Sequence, residues 1–104
     1  MARILVVVPD LMLASRATEG LRGAGHETSV VSSLPEATDA DAIVCDLDAV
    51  DAEAVAATGL PTLGFYSHVD VEAKRRGEEA GLARVVPRSR MARELPVLID
   101  GLLG

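Results

Sequence analysis

Five short apolar runs, rich in Val, Ile and Leu, recur along the chain with more polar stretches between them. They lie at residues 3–8, 28–31, 42–45, 61–66 and 83–86. Their apolar residues are continuous rather than alternating, which is typical of strands that are covered on both faces. The pattern therefore predicts a parallel sheet with helices on each side.

The stretches between the runs carry signals for helices. Asp10 is predicted as the N-cap of a helix over residues 11–24, which Gly25 ends. The segment 71–80 is polar on most sides and contains Gly77, so it predicts a helix that is only weakly stable and mobile. Asp51 is predicted as the N-cap of the helix between these two.

Two connections depart from a regular alternation of strands and helices. Only residues 32–41 join the second and third predicted strands, fewer than the dozen or so that a parallel crossover with a helix needs. Ser33 and Glu36 have the spacing of a cap for one turn, so we expect a short helical turn or an irregular strap. Pro96 lacks an N–H, so the last helix is expected to begin near Arg93 or to kink at Pro96.

Composition limits the classes of partner. The 104 residues are 49% hydrophobic, which predicts a single domain over residues 1–104 with its own core. One Tyr, one Phe and no Trp give no aromatic platform for stacking bases, so nucleic acid is not expected as a partner. The run at residues 4–8 is far shorter than the roughly 18 residues of a membrane span. We therefore expect a soluble, cytoplasmic protein with no membrane partner.

The charge distribution, the single cysteine and the two histidines indicate no catalytic or metal site. Residues 41–72 contain acids and no Lys or Arg, whereas residues 73–104 contain more bases than acids. Cys45 lies inside an apolar run and is predicted to be an inert core residue. His26 and His68 have no second ligand at metal-binding spacing, so a surface or turn role is expected for both.

Asp46 is the most informative polar residue, because it directly follows the apolar run 42–45. That position is the carboxyl edge of a buried strand, where α/β sheets carry their functional sites. Asp48 follows in the same loop and is most simply a loop acid. Asp46 is therefore the leading candidate for a functional residue.

Segments spread along the whole chain resemble the receiver domain of response regulators in bacterial two-component systems. The similar segments are Arg3-Ile4-Leu5-Val6-Val7 with the first strand, residues 21–27 with the turn after the first helix, residues 41–48 with the phosphoacceptor strand, residues 76–83 with the end of the fourth helix, and Val86-Pro87-Arg88 with a Leu-Pro-Lys motif. The resemblance implies a doubly wound, flavodoxin-like α/β fold of five strands in the order 2-1-3-4-5, with the second helix shortened or missing.

The resemblance also implies where phosphorylation chemistry would lie. Asp46 matches the phosphorylated aspartate of the family, but the positions of its paired Mg²⁺-binding acids are occupied by Val8 and Pro9. Asp10 falls one residue late and is more simply a helix cap. Phosphoryl transfer to a carboxylate usually needs an oxygen-liganded cation to neutralise charge. We therefore expect poor Mg²⁺ binding and no resident cofactor.

The other matched positions differ from the family as well. Arg88 stands at the position of the invariant lysine and is predicted to form a standing ion pair with Asp46. Tyr66, with Ser67 next to it, matches the hydroxyl residue and is bulky enough to fill the space of a phosphoryl group. Val85 replaces the aromatic switch residue. These differences disfavour the family's usual mechanism, in which phosphorylation is coupled to rotation of an aromatic side chain at the surface.

We therefore expect an atypical, stand-alone receiver that is not an enzyme, lacks an efficient phosphorylation cycle and acts by protein–protein contact. The expected surface consists of the fourth predicted helix, the fifth strand and the last helix, used by a protein partner or by a second copy in a homodimer. One alternative is a phosphoaccepting response regulator in which Asp10, Asp46 and Asp48 hold Mg²⁺ and Asp46 is phosphorylated. Another is a small-ligand-binding flavodoxin-like module that uses the crevice at the strand ends.

Overall fold

The computed structural model describes residues 1–67 and 69–104, so the role expected for His68 lies outside the described residues. The strands are β1 (Arg3–Val7), β2 (Glu27–Val31), β3 (Ala42–Asp46), β4 (Thr62–Tyr66) and β5 (Arg84–Pro87). The helices are α1 (Leu11–Gly23), α2 (Ala52–Ala56), α3 (Val71–Glu79) and α4 (Arg88–Leu103). None of these described helices is long and apolar enough to cross a membrane.

The strands form one parallel sheet in the order β2-β1-β3-β4-β5, which confirms the predicted doubly wound, flavodoxin-like topology. Val6 in β1 pairs with Val30 of β2 on one side and with Val44 of β3 on the other. Because all five strands run in the same direction, their carboxyl ends meet at one edge of the sheet. The candidate functional residues predicted from the sequence, among them Asp46 and Tyr66, lie at that edge.

Each face of the sheet has its own apolar cluster. Ile4, Val6 and Val8 belong to a cluster that packs with α1 and α4, which we name the α1–α4 cluster. Leu5 and Val7 belong to a second one, which packs with α2 and α3 and which we name the α2–α3 cluster. Burying an aliphatic side chain of this size contributes about 1.5–3 kcal/mol, so both faces stabilise the fold. This explains why the strands read as continuous apolar runs.

The connection between β2 and β3, residues 32–41, contains no helix, which confirms the predicted irregular strap. Leu34 and Ala40 of the strap pack against the α2–α3 cluster, where a second helix would otherwise lie. The end of the strap is fixed to β1, because the Arg3 N–H donates to Asp41 Oδ2 at 2.8 Å and the Asp41 N–H donates to the Arg3 carbonyl at 2.7 Å. The missing helix is thus replaced by a short, anchored segment.

Helix α1 begins and ends as the sequence predicts. The Asp10 carboxylate accepts hydrogen bonds from the backbone N–H groups of Met12 at 2.9 Å and Leu13 at 3.1 Å. These bonds satisfy donors that a helix N-terminus otherwise leaves free. Gly25 has a φ of 90°, a left-handed conformation that glycine adopts without strain. The predicted N-cap of α2 is also confirmed, since Asp51 accepts a hydrogen bond from the Glu53 N–H at 3.1 Å.

Of the two alternatives expected for the last helix, the start near Arg93 is wrong, and the helix continues past Pro96. Helix α4 begins at Arg88, and Pro96 lies inside it. A proline in a helix interior costs about 3 kcal/mol, because it removes one hydrogen bond and crowds the preceding turn. The helix compensates by burying four apolar side chains at about 1.5–3 kcal/mol each, those of Met91, Leu95, Leu98 and Ile99. Packing therefore outweighs the local cost.

His26 lies in the turn before β2, as expected, but its side chain is largely buried rather than at the surface. Only 7% of its side chain is exposed. Its Nδ1 accepts a hydrogen bond from the Ala2 N–H at 3.1 Å, and its Nε2 lies 3.1 Å from Asp100 Oδ1. Since Nδ1 is an acceptor, Nε2 carries the proton and donates to the carboxylate. His26 thus joins the start of β1 to α4.

Candidate functional site

The positions that correspond to functional residues of receiver domains lie at the carboxyl edge of the sheet. Val8 follows β1, Asp46 ends β3, Tyr66 ends β4 and Arg88 follows β5. The register places Asp46 beside Phe65 of β4, and Tyr66 beside the last residue of β5. Residues that are far apart in the sequence therefore lie along one edge of the sheet.

Asp46 is nearly buried, with 7% of its surface exposed. Its Oδ1 accepts a hydrogen bond from the Asp48 N–H at 3.0 Å. Burial raises the pKa of the Asp46 carboxyl above its ordinary value of 3.8, and the charge of Asp10 raises it further; the Asp48 N–H and the charge of Arg88 act in the opposite direction. The strand end thus holds a carboxyl whose ionised form is disfavoured by folding.

The positions of the missing acid pair have other roles in the structure. Val8 is 1% exposed and belongs to the α1–α4 cluster, whereas Pro9 is exposed to solvent. The Asp10 carboxylate already accepts two backbone hydrogen bonds at the start of α1, which confirms its prediction as a helix cap. Within residues 1–67 and 69–104, no three His, Cys, Asp or Glu side chains form a group that could hold a metal ion. The residues around Asp46 therefore fit Mg²⁺ poorly.

The predicted ion pair between Arg88 and Asp46 is not formed. Arg88 is exposed and makes no salt bridge within 4.0 Å to any carboxylate in the described part of the chain. It lines a groove between α1 and α4 together with Met12 and Arg16. Because α4 begins at Arg88 itself, this residue lies in the first turn of a helix rather than in a loop beside Asp46. Its charge lowers the pKa of Asp46 from a distance.

Asp48 joins the loop after β3 to the loop after β4. Its Oδ2 accepts a hydrogen bond from the Ser67 N–H at 3.0 Å. Partial loss of solvent raises the pKa of Asp48, and the nearby carboxyl group of Asp70 raises it further, whereas the N–H of Ala73 lowers the pKa of Asp70. Asp70 was not recognised from the sequence as the N-cap of α3, although its place before a predicted helix is a signal for one.

Tyr66 and Cys45 are both buried in the α2–α3 cluster. Burial raises the pKa of the Cys45 thiol to about 12, and the neighbouring charge of Asp46 contributes to the rise. A thiol with this pKa stays protonated at neutral pH and is a poor nucleophile. The prediction of Cys45 as an inert core residue is confirmed.

Replacing Asp46 with asparagine is expected to raise stability at pH 7 and to have no effect well below pH 3.8, the ordinary pKa of the carboxyl. Because the folded-state pKa is raised, ionisation destabilises the fold; this penalty is absent below the unfolded pKa and develops as pH rises through the folded pKa. Asparagine keeps an acceptor for the Asp48 N–H. The melting temperatures of both proteins, measured over this pH range, check the prediction. Parallel pH profiles for Asp46→Asn and wild type would contradict it.

Receiver domains of known structure share this architecture over nearly their whole length. A protein assigned as a response regulator, from Chloroflexus aurantiacus J-10-fl, is 26% identical with a TM-score of 0.83, covering 98% of this chain and 97% of that one. A CheY-like receiver domain protein from Methanospirillum hungatei JF-1 is 17% identical with a TM-score of 0.83, covering 99% and 94%. The non-phosphorylated HemR receiver domain from Leptospira biflexa is 22% identical with a TM-score of 0.78, covering 100% and 95%. No protein-family model and no curated protein sequence matches the chain.

Proposed function

We propose that this chain, which has the receiver-domain fold of response regulators, is a signalling module that acts by protein–protein contact without an efficient phosphorylation cycle. The observation that carries the proposal is the absence of an acid pair beside Asp46. Val8 is buried in the core and the Asp10 carboxylate caps α1. Phosphoryl transfer brings negative charges together and needs a hard cation to neutralise them. A single nearly buried carboxylate holds such a cation weakly.

In this proposed role, the chain acts without a catalytic group and without a resident cofactor. Receiver domains are signalling modules and generally not enzymes. The nucleophile closest to Asp46 in the sequence, Cys45, is buried and protonated. Function in such a module resides on a surface that other proteins contact.

The proposed contact surface consists of α3, β5 and α4. β5 is an edge strand of the sheet, and a groove of about 400 Å³ lies between it and α4. Its lining combines both signs of charge with apolar side chains, including those of Arg84, Arg90, Glu94 and Val97. Val97 is 72% exposed, although it is aliphatic. In a twofold-symmetric dimer, the basic side chains of one copy can face the acidic side chains of the other. The surface therefore suits a second copy of the chain. A separate protein partner is the alternative.

Wild-type protein incubated with Mg²⁺ and acetyl phosphate is expected to keep its mass and to self-associate to the same degree as the untreated protein. The site lacks the acids that would hold the cation, so no acyl phosphate forms. Val97→Arg is expected to weaken self-association at least about tenfold, because it adds a third positive charge beside Arg84 and Arg90. Intact mass spectrometry and sedimentation velocity over a range of concentrations measure both quantities on the same samples.

Two control variants make the outcomes distinct. Leu11→Arg introduces the same charge at another exposed apolar residue, on α1, and should leave association unchanged. A gain of one phosphoryl group by the wild type, absent in Asp46→Asn, would show that the phosphoaccepting alternative is correct. Monomeric sedimentation of the wild type at every concentration would overturn the second-copy surface.

A further inference from the structure

Leu47 directly follows Asp46, and its side chain occupies a slot between β4 and α3. Only 2% of Leu47 is exposed. A Cβ placed on Gly64 of β4 would lie 2.8 Å from Leu47 Cδ1 and 2.8 Å from its Cγ. A Cβ placed on Gly77 of α3 would lie 2.7 Å from the same Cδ1. The leucine therefore fills a space that exists because two residues from different elements have no side chain.

Close packing, rather than backbone conformation, explains both glycines. Positive φ values occur at Gly25, Gly59 and Gly81, and neither Gly64 nor Gly77 is among them. Alanine would therefore fit the backbone at both positions, and within α3 it would favour the helix more than glycine does. What opposes alanine is the contact with Leu47, which would have to shift, together with Val85 Cγ2, which would lie 3.1 Å from a Cβ at position 77.

Helix α3 has few other anchors on the sheet. Its buried residues are Ala73 and Gly77, both of which are small. The large apolar side chain at this contact is supplied by Leu47, whose own backbone is fixed because its N–H donates to the Phe65 carbonyl at 2.8 Å. Val85 extends the contact to β5. The Leu47 side chain thus connects the end of β3 with α3, one of the three elements of the proposed contact surface, and Val85 of β5 packs against the same glycine of α3.

We propose that Leu47 is the positioning residue that couples the Asp46 end of β3 to α3, so that any displacement of this strand end changes how α3 packs. The relay of this change to a protein partner rests on the proposed function. The coupling itself does not, since it depends only on contacts within the chain. Changes that empty the Leu47 slot should release α3 selectively, while the rest of the sheet stays packed.

Hydrogen exchange tests the coupling, with Leu63→Ala as the matched control for Leu47→Ala. Leu63 is fully buried next to Gly64 in β4, but it belongs to the α1–α4 cluster. We expect Leu47→Ala to speed amide exchange in α3 at least about tenfold relative to exchange in α1, and Leu63→Ala, which loosens the α1–α4 cluster instead, to leave that ratio at or below the wild-type value. If both variants raise exchange equally in α1 and α3, Leu47 is an ordinary core residue and the proposal is wrong.

A double-mutant cycle between Leu47→Ala and Gly77→Ala supplies a second readout. In the wild type, Gly77→Ala should raise the unfolding equilibrium constant about tenfold, because the new methyl group overlaps Leu47. In the Leu47→Ala background the same change should be neutral or stabilising, since the slot is empty and alanine favours the helix. Equal effects in both backgrounds would overturn the proposal. If the double-mutant cycle gives the expected result but the wild-type protein sediments as a monomer at every concentration, the contact surface is refuted. The coupling between Leu47 and α3 then still holds.

Discussion

Val8→Asp is expected to lower the free energy of unfolding by about 3 kcal/mol or more, although it restores an acid at a position where receivers carry one. Val8 is part of the α1–α4 cluster, so the change removes a buried aliphatic side chain and puts an unpaired carboxylate in its place. The charge of Asp10, which already raises the pKa of Asp46, adds repulsion at this strand end. Urea unfolding at pH 7, with and without millimolar Mg²⁺, measures the effect.

Pro9→Asp is the matched control, because it adds the same charge at the neighbouring exposed position. Its cost should be under about 1 kcal/mol, mostly through the loss of a rigid proline. Mg²⁺ should restore little stability to either variant, since a ligand stabilises a protein only in proportion to its binding. Recovery of most of the lost stability of Val8→Asp by Mg²⁺ would show that a cation site persists at the edge of the sheet.

Phe65→Ala is expected to lower the free energy of unfolding by about 3–5 kcal/mol. Phe65 is the only phenylalanine of the chain and is fully buried in the α1–α4 cluster. Its removal leaves a cavity between β4 and two helices that are held by the rest of the sheet. Proteins usually have about 5–15 kcal/mol of stability in total, so the variant should unfold at much lower denaturant concentration.

Leu11→Ala is the control for this core substitution, because it truncates an exposed aliphatic residue on α1, outside the proposed contact surface. Its effect should lie within about 0.5 kcal/mol of zero. Chemical denaturation of the three proteins under the same conditions gives the comparison. A loss of less than about 2 kcal/mol for Phe65→Ala would mean that the core closes around the gap.

The parts of the fold that the sequence predicts well depend on local chemistry. Continuous apolar runs gave the five strands, and Asp10 and Asp51 gave helix starts, because a cap bonds to N–H groups two or three residues away. The length of the 32–41 connection excluded a second helix for a similar reason, since the available chain is too short. Each of these inferences uses information within one short segment.

The parts that sequence reasoning missed depend on distances between elements. The sequence left open whether α4 starts near Arg93 or continues past Pro96, because the cost of Pro96 is visible locally, whereas the burial of the apolar side of the helix is a tertiary effect. The predicted ion pair between Arg88 and Asp46 was wrong because it depends on the distance between the first turn of α4 and the end of β3. The burial of His26 and the slot around Leu47 follow no periodicity at all, so no pattern in the chain indicates them.

The strap between β2 and β3 has a consequence for how the chain folds. Closing a flexible loop costs conformational entropy that grows with the logarithm of its length, so a ten-residue connection, 32–41, is brought together more readily than one with a complete helix. Non-local pairing is the slow step in sheets of this kind. Because β1 lies between β2 and β3, the strap shortens the most distant pairing of the sheet, that of β1 with β3, in which Ile4 lies opposite Ala42. It thereby lowers the entropic cost of adding β3 to β1.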